Sequence, residues 1–154
     1  MKIAFVFPGQ GSQSIGMLDS FAGNPAVDEV LRTASAALGQ DLAALIKDGP
    51  AESLSLTVNT QPVMLTAGYA VYRAWRAAGG AEPAVVAGHS LGEYTALTAA
   101  GALALAEAVK LVRIRAQAMQ EAVPVGVGAM AALLGADIDK AQALADAAAE
   151  GEVC

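Results

Sequence analysis

Ser90 lies in Gly88-His89-Ser90-Leu91-Gly92, with a glycine two residues to either side. This is the GxSxG spacing of a nucleophile elbow, in which a serine sits at the tip of a strand-to-helix turn. The backbone there is strained, and side chains two residues before and after the serine would collide as the chain doubles back. Glycine removes that collision. The turn thrusts the hydroxyl over the carboxyl edge of a sheet, while the following helix aims its N-terminal amides and the positive end of its dipole at the same point. Negative charge developing on an attacked carbonyl would be stabilised there. Both elements that the motif requires are readable: Ala84-Val85-Val86-Ala87 as a buried strand, and an Ala/Leu-rich helix after Glu93.

Two other places could contribute. Gly9-Gln10-Gly11-Ser12-Gln13 follows an apolar strand run, at the strand end where open α/β sheets gather ligands. A glycine-rich loop can cradle phosphate, but neither a dinucleotide fingerprint nor a Walker lysine accompanies this one. If the loop lies beside Ser90, a backbone N–H near Gln10 can pair with that of Leu91 as an oxyanion hole. The second place is a helix from about Leu105 to Glu121. There Glu107, Lys110, Arg113, Gln117 and Gln120 recur every three or four residues as a polar face. Arg115 is displaced about 200° from Arg113 and shares a side with Ala108, Leu111, Val112 and Met119. A guanidinium on an apolar face must snorkel or find an anion. Either one of the fifteen acids or a substrate carboxylate could supply it.

Parallel α/β architecture follows from the elements around these residues. Ile3-Ala4-Phe5-Val6-Phe7, ended by Pro8, reads as a strand buried on both faces. Pro25 to Leu38 is an amphipathic helix stopped by Gly39, and Asp41 to Ile46 a short second one. Ser53 to Asn59 has little periodicity and reads as a linker. Pro62, at the position where proline is tolerated, then starts a long helix that ends at Gly79-Gly80, with Trp75 on its apolar stripe as a core residue. Pro124 to Gly128 reads as a junction between a first subdomain, residues 1–128, and a second, residues 129–154. The second opens with a strand at Ala129–Leu134, continues as a helix over Asp137–Ala149, and starts another strand at Glu152-Val153-Cys154. A β-α-β unit that stops in mid-element is expected of the N-terminal part of something longer.

Composition excludes several classes. A net charge of −6 leaves no basic footprint for nucleic acid, although Arg73, Arg76, Lys110, Arg113 and Arg115 could dock an acidic partner. The chain is 55% hydrophobic, much of it alanine, yet no apolar run approaches the ~18 residues of a spanning helix. No signal peptide is visible at the N-terminus, so cytoplasm is the expected location. The single cysteine, Cys154, is expected to be inert, and with one histidine there is no metal-ligand cluster. No metal or cofactor is expected.

Taken together, Phe5-Val6-Phe7-Pro8-Gly9-Gln10-Gly11-Ser12-Gln13, Thr60-Gln61-Pro62, Gly88-His89-Ser90-Leu91-Gly92-Glu93-Tyr94 and Arg115 with Met119-Gln120-Glu121 resemble the N-terminal half of the malonyl-CoA:acyl-carrier-protein transacylases. The resemblance covers nearly the whole chain. It implies an α/β-hydrolase-like large subdomain, here incomplete, and the start of a small ferredoxin-like subdomain. It also implies that Ser90 is the acyl-accepting nucleophile, that the amides of Gln10 and Leu91 form the oxyanion hole, and that Arg115 grips the free carboxylate of malonate. The implied substrates are a coenzyme A thioester and acyl carrier protein, in fatty acid biosynthesis. The family's general base is a histidine in the later half of the domain, which makes the C-terminal half an implied partner and leaves activity of these 154 residues alone in question. His89 points away from Ser90 at a sharp elbow and is a poor base; it lines the acyl pocket or is structural. Two rivals remain at this level: a serine esterase or thioesterase, against which Arg115 and the Gln10 loop speak, and a non-catalytic fragment that binds carrier protein.

Overall fold

The computed structural model describes residues 2–123, 126–127, 133–149 and 151. They fall into two compact units, Met1–Val123 and Pro124–Cys154. In the first, strands β1 (Ala4–Phe7) and β2 (Val85–Gly88) pair in parallel, with Ala4 opposite Val85 and Phe7 opposite Gly88. The helices are α1 (Pro25–Leu38), α2 (Leu42–Asp48), α3 (Ala51–Ser55), α4 (Thr57–Ala77), α5 (Leu91–Ala99) and α6 (Leu105–Ala122).

Local chemistry sets several boundaries. Asn24 caps α1 by accepting from the Ala26 amide, Pro25 fills the first helical position, and Gly39 closes the far end at φ 62°. Asp41 caps α2 by accepting from the Ala44 amide. Both helices lie where the sequence predicts, α2 running two residues further.

The long helix does not start at Pro62. It starts at Thr57, and the expected linker is instead α3 and the first turn of α4. The Leu56 carbonyl accepts from the amides of Asn59 and Thr60 and from the Thr60 hydroxyl, which assembles a first turn that needs no donor from Pro62. Every residue from Thr60 to Ala67 is buried, so α4 is the axle of the unit. Helices α1, α5 and α6 pack around it, and Val27, Val30, Leu65, Leu91, Val109 and Val112 belong to one shared core.

A smaller apolar cluster joins helices to sheet: Phe7, Tyr72 and Ala96, with Phe5 and Val86 against them. The strands bury one face only. Val6 and Val85, on the other face, are 75% and 60% exposed, because the helices pack against the Phe5 and Phe7 side. The prediction of strands buried on both faces is therefore corrected for these residues. Trp75 is also no core residue: it is 41% exposed, and its indole N–H donates to the Ala81 carbonyl at 3.0 Å, bracing the Gly79-Gly80 turn.

In the second unit, α7 (Ile138–Ala148) is capped by the Asp137 carboxylate and lies where periodicity predicts a helix. Leu133 and Leu134, expected at the end of a strand, are not in one. The rest of that strand, Ala129–Ala132, and the strand at Glu152–Cys154 lie outside the described residues. No helix among the described residues is long and apolar enough to cross a membrane.

Candidate active site

The β2–α5 turn holds Ser90 at φ 53° and ψ −111°. Among the described residues it is the only non-glycine residue with positive φ. Such a conformation costs ~1–3 kcal/mol and persists only where neighbours enforce it. The neighbours are visible. A β-carbon on Gly88 would overlap the Gly92 backbone, and one on Gly92 would strike the Phe7 carbonyl and come within 2.9 Å of the Pro8 oxygen. The two glycines therefore let β2, the elbow and the end of β1 approach at backbone contact distance.

That contact also brings in the loop after β1. A β-carbon at Gly9 would lie 3.2 Å from the His89 carbonyl, so the Pro8-Gly9 segment rests on the elbow. The Gln10 side chain turns toward α4, where its amide donates to the Thr57 hydroxyl at 3.2 Å. Gly11 donates to the Gln13 side chain at 2.8 Å, which folds the loop back on itself. At the elbow, the His89 carbonyl accepts from the Gly92 amide and the Ser90 carbonyl from the Glu93 amide. The backbone N–H groups of Gln10 and Leu91 have no hydrogen-bond partner among the described residues. For Leu91, the first residue of α5, an unsatisfied donor is what a helix start provides.

Arg115 reaches the exposed serine from α6. One terminal nitrogen donates to Ser90 Oγ at 3.0 Å and the other to Gln61 Oε1 at 2.7 Å. The guanidinium carbon lies 5.7 Å from the centroid of the Tyr94 ring. Gln61, completely buried on α4, turns its amide nitrogen to Met119 Sδ at 3.2 Å. Of the two anions open to Arg115, an internal carboxylate is ruled out among the described residues, where the ion pairs are Arg76–Glu82 and Lys110–Glu107. Its hydrogen-bond partners are neutral oxygens, and no carboxylate compensates its charge among the described residues.

Arg113 behaves differently from its expected place on the polar face. It is half-buried and bonded to Gln40 and Asn59, and burial pulls its guanidinium below the ordinary arginine value. On the supposed apolar side, Leu111 and Met119 are 43% and 37% exposed. The buried stripe is Ala108, Val109, Val112 and Ala116.

The elbow, the Gln10 loop and Arg115 are thus gathered at one place, with His89 exposed beside them. Sequence reasoning gave no role to Thr57 or Gln61, which lie one helical turn apart on α4 and grip Gln10 and Arg115 respectively. The available signal was Gln61 itself, a polar amide inside a continuously buried helical stretch.

This α/β chain belongs to the acyl transferase domain family, whose profile matches residues 4–150. Among its relatives, the malonyl CoA-acyl carrier protein transacylase of Escherichia coli strain K12 is 56% identical over 153 residues, 99% of this chain and 50% of the relative. The crystal structure of the acyl-carrier-protein S-malonyltransferase of Burkholderia pseudomallei 1710b is 67% identical, with a TM-score of 0.88 over 97% of this chain and 48% of that one. A type II PKS acyl-carrier protein in complex with its malonyl-transacylase is a further neighbour, 45% identical, with a TM-score of 0.90 over 99% of this chain and 50% of that one. The chain spans about half the length of the curated relatives it matches.

Proposed function

We propose that this chain is the nucleophile-bearing part of an enzyme that moves a malonyl group from coenzyme A to acyl carrier protein through a malonyl-Ser90 ester, in the cytoplasm and for fatty acid biosynthesis. The observation that carries the proposal is the Arg115 guanidinium, unpaired with any carboxylate among the described residues, donating to Ser90 Oγ at 3.0 Å. A malonyl thioester has one methylene between its carboxylate and its reacting carbonyl. An acyl group that presents its carbonyl to Oγ therefore brings its carboxylate to Arg115, whose planar fork suits two parallel hydrogen bonds. An esterase of neutral acyl groups has no use for that cation.

In the first half-reaction Ser90 Oγ attacks the thioester carbonyl, the serine proton passes to a base, and the base returns it to the departing sulfur as the C–S bond breaks to release coenzyme A as its thiol. In the second, the phosphopantetheine thiol of the carrier protein gives its proton to the base and attacks the ester carbonyl, and the base returns the proton to Oγ as the C–O bond breaks to restore Ser90. The N–H groups of Gln10 and Leu91 hold the oxyanion in both. The only histidine among the 154 residues is His89, which we read as lining the acyl pocket or as structural; among the described residues the hydrogen-bond partner of Ser90 Oγ is Arg115. We assign the base to the later half of the domain. The finer architecture is read the same way: residues 1–128 as part of an α/β-hydrolase-like subdomain, and 129–154 as the start of a ferredoxin-like one. Carrier protein as acceptor is supported by the neighbour whose own structure is a carrier-protein complex.

Mass spectrometry after incubation with malonyl-CoA tests the proposal. The expected result is a malonyl adduct on the Ser90 peptide that disappears in Ser90→Ala. Absence of the adduct, even with the C-terminal half of the Escherichia coli relative supplied, refutes it.

A further inference from the structure

Gln61 is a fully buried polar side chain that the reaction scheme leaves without a task. We propose that Gln61 sets the carboxylate preference of the Ser90 site by holding Arg115 through a neutral acceptor, so that the guanidinium is fixed in place and keeps its full charge for an incoming anion. This rests on the assignment of Arg115 as the carboxylate clamp.

A guanidinium only donates, so the amide of Gln61 must turn its oxygen to Arg115 and its nitrogen away. The nitrogen is then directed at Met119 Sδ, a weak acceptor on the same helix as Arg115. Arg115 is consequently held at one end by a buried oxygen at 2.7 Å, across its face by Tyr94, and at the other end by the exposed Ser90 hydroxyl. The buried bond is permanent, whereas the exposed one can be exchanged for substrate. Each alternative at position 61 fails differently. A carboxylate would pair with Arg115 and compete with the incoming anion. An apolar side chain would keep the charge but leave a long, flexible side chain unheld, so its ordering would weaken substrate binding.

Calorimetric titration of the purified chain with malonyl-CoA and acetyl-CoA separates these cases. The wild type is expected to prefer malonyl-CoA, and Arg115→Ala to abolish that preference. Gln61→Glu should lower the malonyl-to-acetyl affinity ratio by about 10- to 100-fold, and Gln61→Met by about tenfold, with acetyl-CoA binding unchanged. Adding Gln61→Met to Arg115→Ala should lower the ratio no further, since both act through one group. Folded Gln61 variants that keep the wild-type ratio, while Arg115→Ala loses it, overturn the role of Gln61 and leave the clamp standing. If wild type and Arg115→Ala both bind the two thioesters alike, the clamp itself is wrong, and the role of Gln61 falls with it. Should Gln61→Glu fail to fold by circular dichroism, Gln61→Met, of similar shape and uncharged, carries the test. The wild type also offers a readout without substitution: nitrogen NMR should show restricted rotation of the Arg115 guanidinium both without ligand and at saturating malonate. Free rotation in either state overturns the proposal.

Discussion

Replacing Gly92 by alanine probes the elbow without any assay of activity. The added β-carbon would strike the Phe7 carbonyl and approach the Pro8 oxygen at 2.9 Å, while the Gly88 backbone already lies against the carbonyl side of Gly92. Every obstructing atom is backbone, so no side chain can rotate away. The end of β1 and its loop, or the first turn of α5, must move. Overpacking of a tight site costs ~1–3 kcal/mol, and a site walled by backbone belongs at the top of that range. For a unit the size of Met1–Val123, about 3 kcal/mol corresponds to a fall in Tm of roughly 10 °C. Gly39→Ala is the control. There φ is 62° and nothing lies within 4 Å of the added carbon, so only the conformational cost of about 1 kcal/mol applies. Thermal unfolding followed by circular dichroism should therefore place Gly92→Ala well below Gly39→Ala, which in turn lies a few degrees below wild type. An equal or smaller loss at Gly92 would refute the claim that close backbone approach fixes the elbow.

Three further outcomes are expected. Ser90→Gly relieves the strained φ of 53° and should raise stability by ~0.5–1 kcal/mol after glycine's greater unfolded-state entropy is subtracted, measured as denaturant midpoint, while eliminating acylation. Arg113→Met removes a half-buried cation that has no carboxylate partner among the described residues and a buried Nε without an acceptor, so its stability should stay within about 1 kcal/mol of wild type. Arg115→Lys keeps the charge but loses the fork and cannot hold Gln61 Oε1 and a substrate carboxylate together; malonyl-CoA affinity should fall about tenfold, by the same calorimetry, with acetyl-CoA affinity unchanged.

What was legible in the sequence was local. The elbow could be read because its constraint is steric and falls on residues two positions apart, and α1 because its apolar period and the Gly39 stop lie within one short stretch of chain. The start of α4 could not. Ser53-Leu54-Ser55-Leu56-Thr57-Val58 alternates polar and apolar residues, and Pro62 imitates a first helical position. What makes a helix of Thr57–Gln61 is tertiary: burial from Thr60 onward against α1, α5 and α6. The exposed face of the sheet was equally beyond periodicity, because a strand of consecutive apolar residues looks the same whether one face or two are covered.

The two arginines of α6 show how the missed helix start and the candidate site are connected. At about 100° per residue, Arg113 and Arg115 flank the buried stripe of Ala108, Val109, Val112 and Ala116 on opposite edges. Asn59 and Gln61 on α4 have the same separation, and the pairs Asn59–Arg113 and Gln61–Arg115 share a sequence offset of 54. Each arginine therefore meets an amide oxygen on α4 in the same register, one on either side of the seam. Arg113 is directed to Gln40 beside α1, and Arg115 to Ser90 at the elbow. Spacing on α6 alone reveals that the arginines diverge, but not where either goes, because the destination is set by which α4 residues stand across the seam. Had α4 begun at Pro62, neither acceptor would be helical, and Thr57 would not stand one turn below Gln61 to hold Gln10. The first turns of α4 thus position the loop after β1 and the arginine from α6 around a serine supplied by a third element.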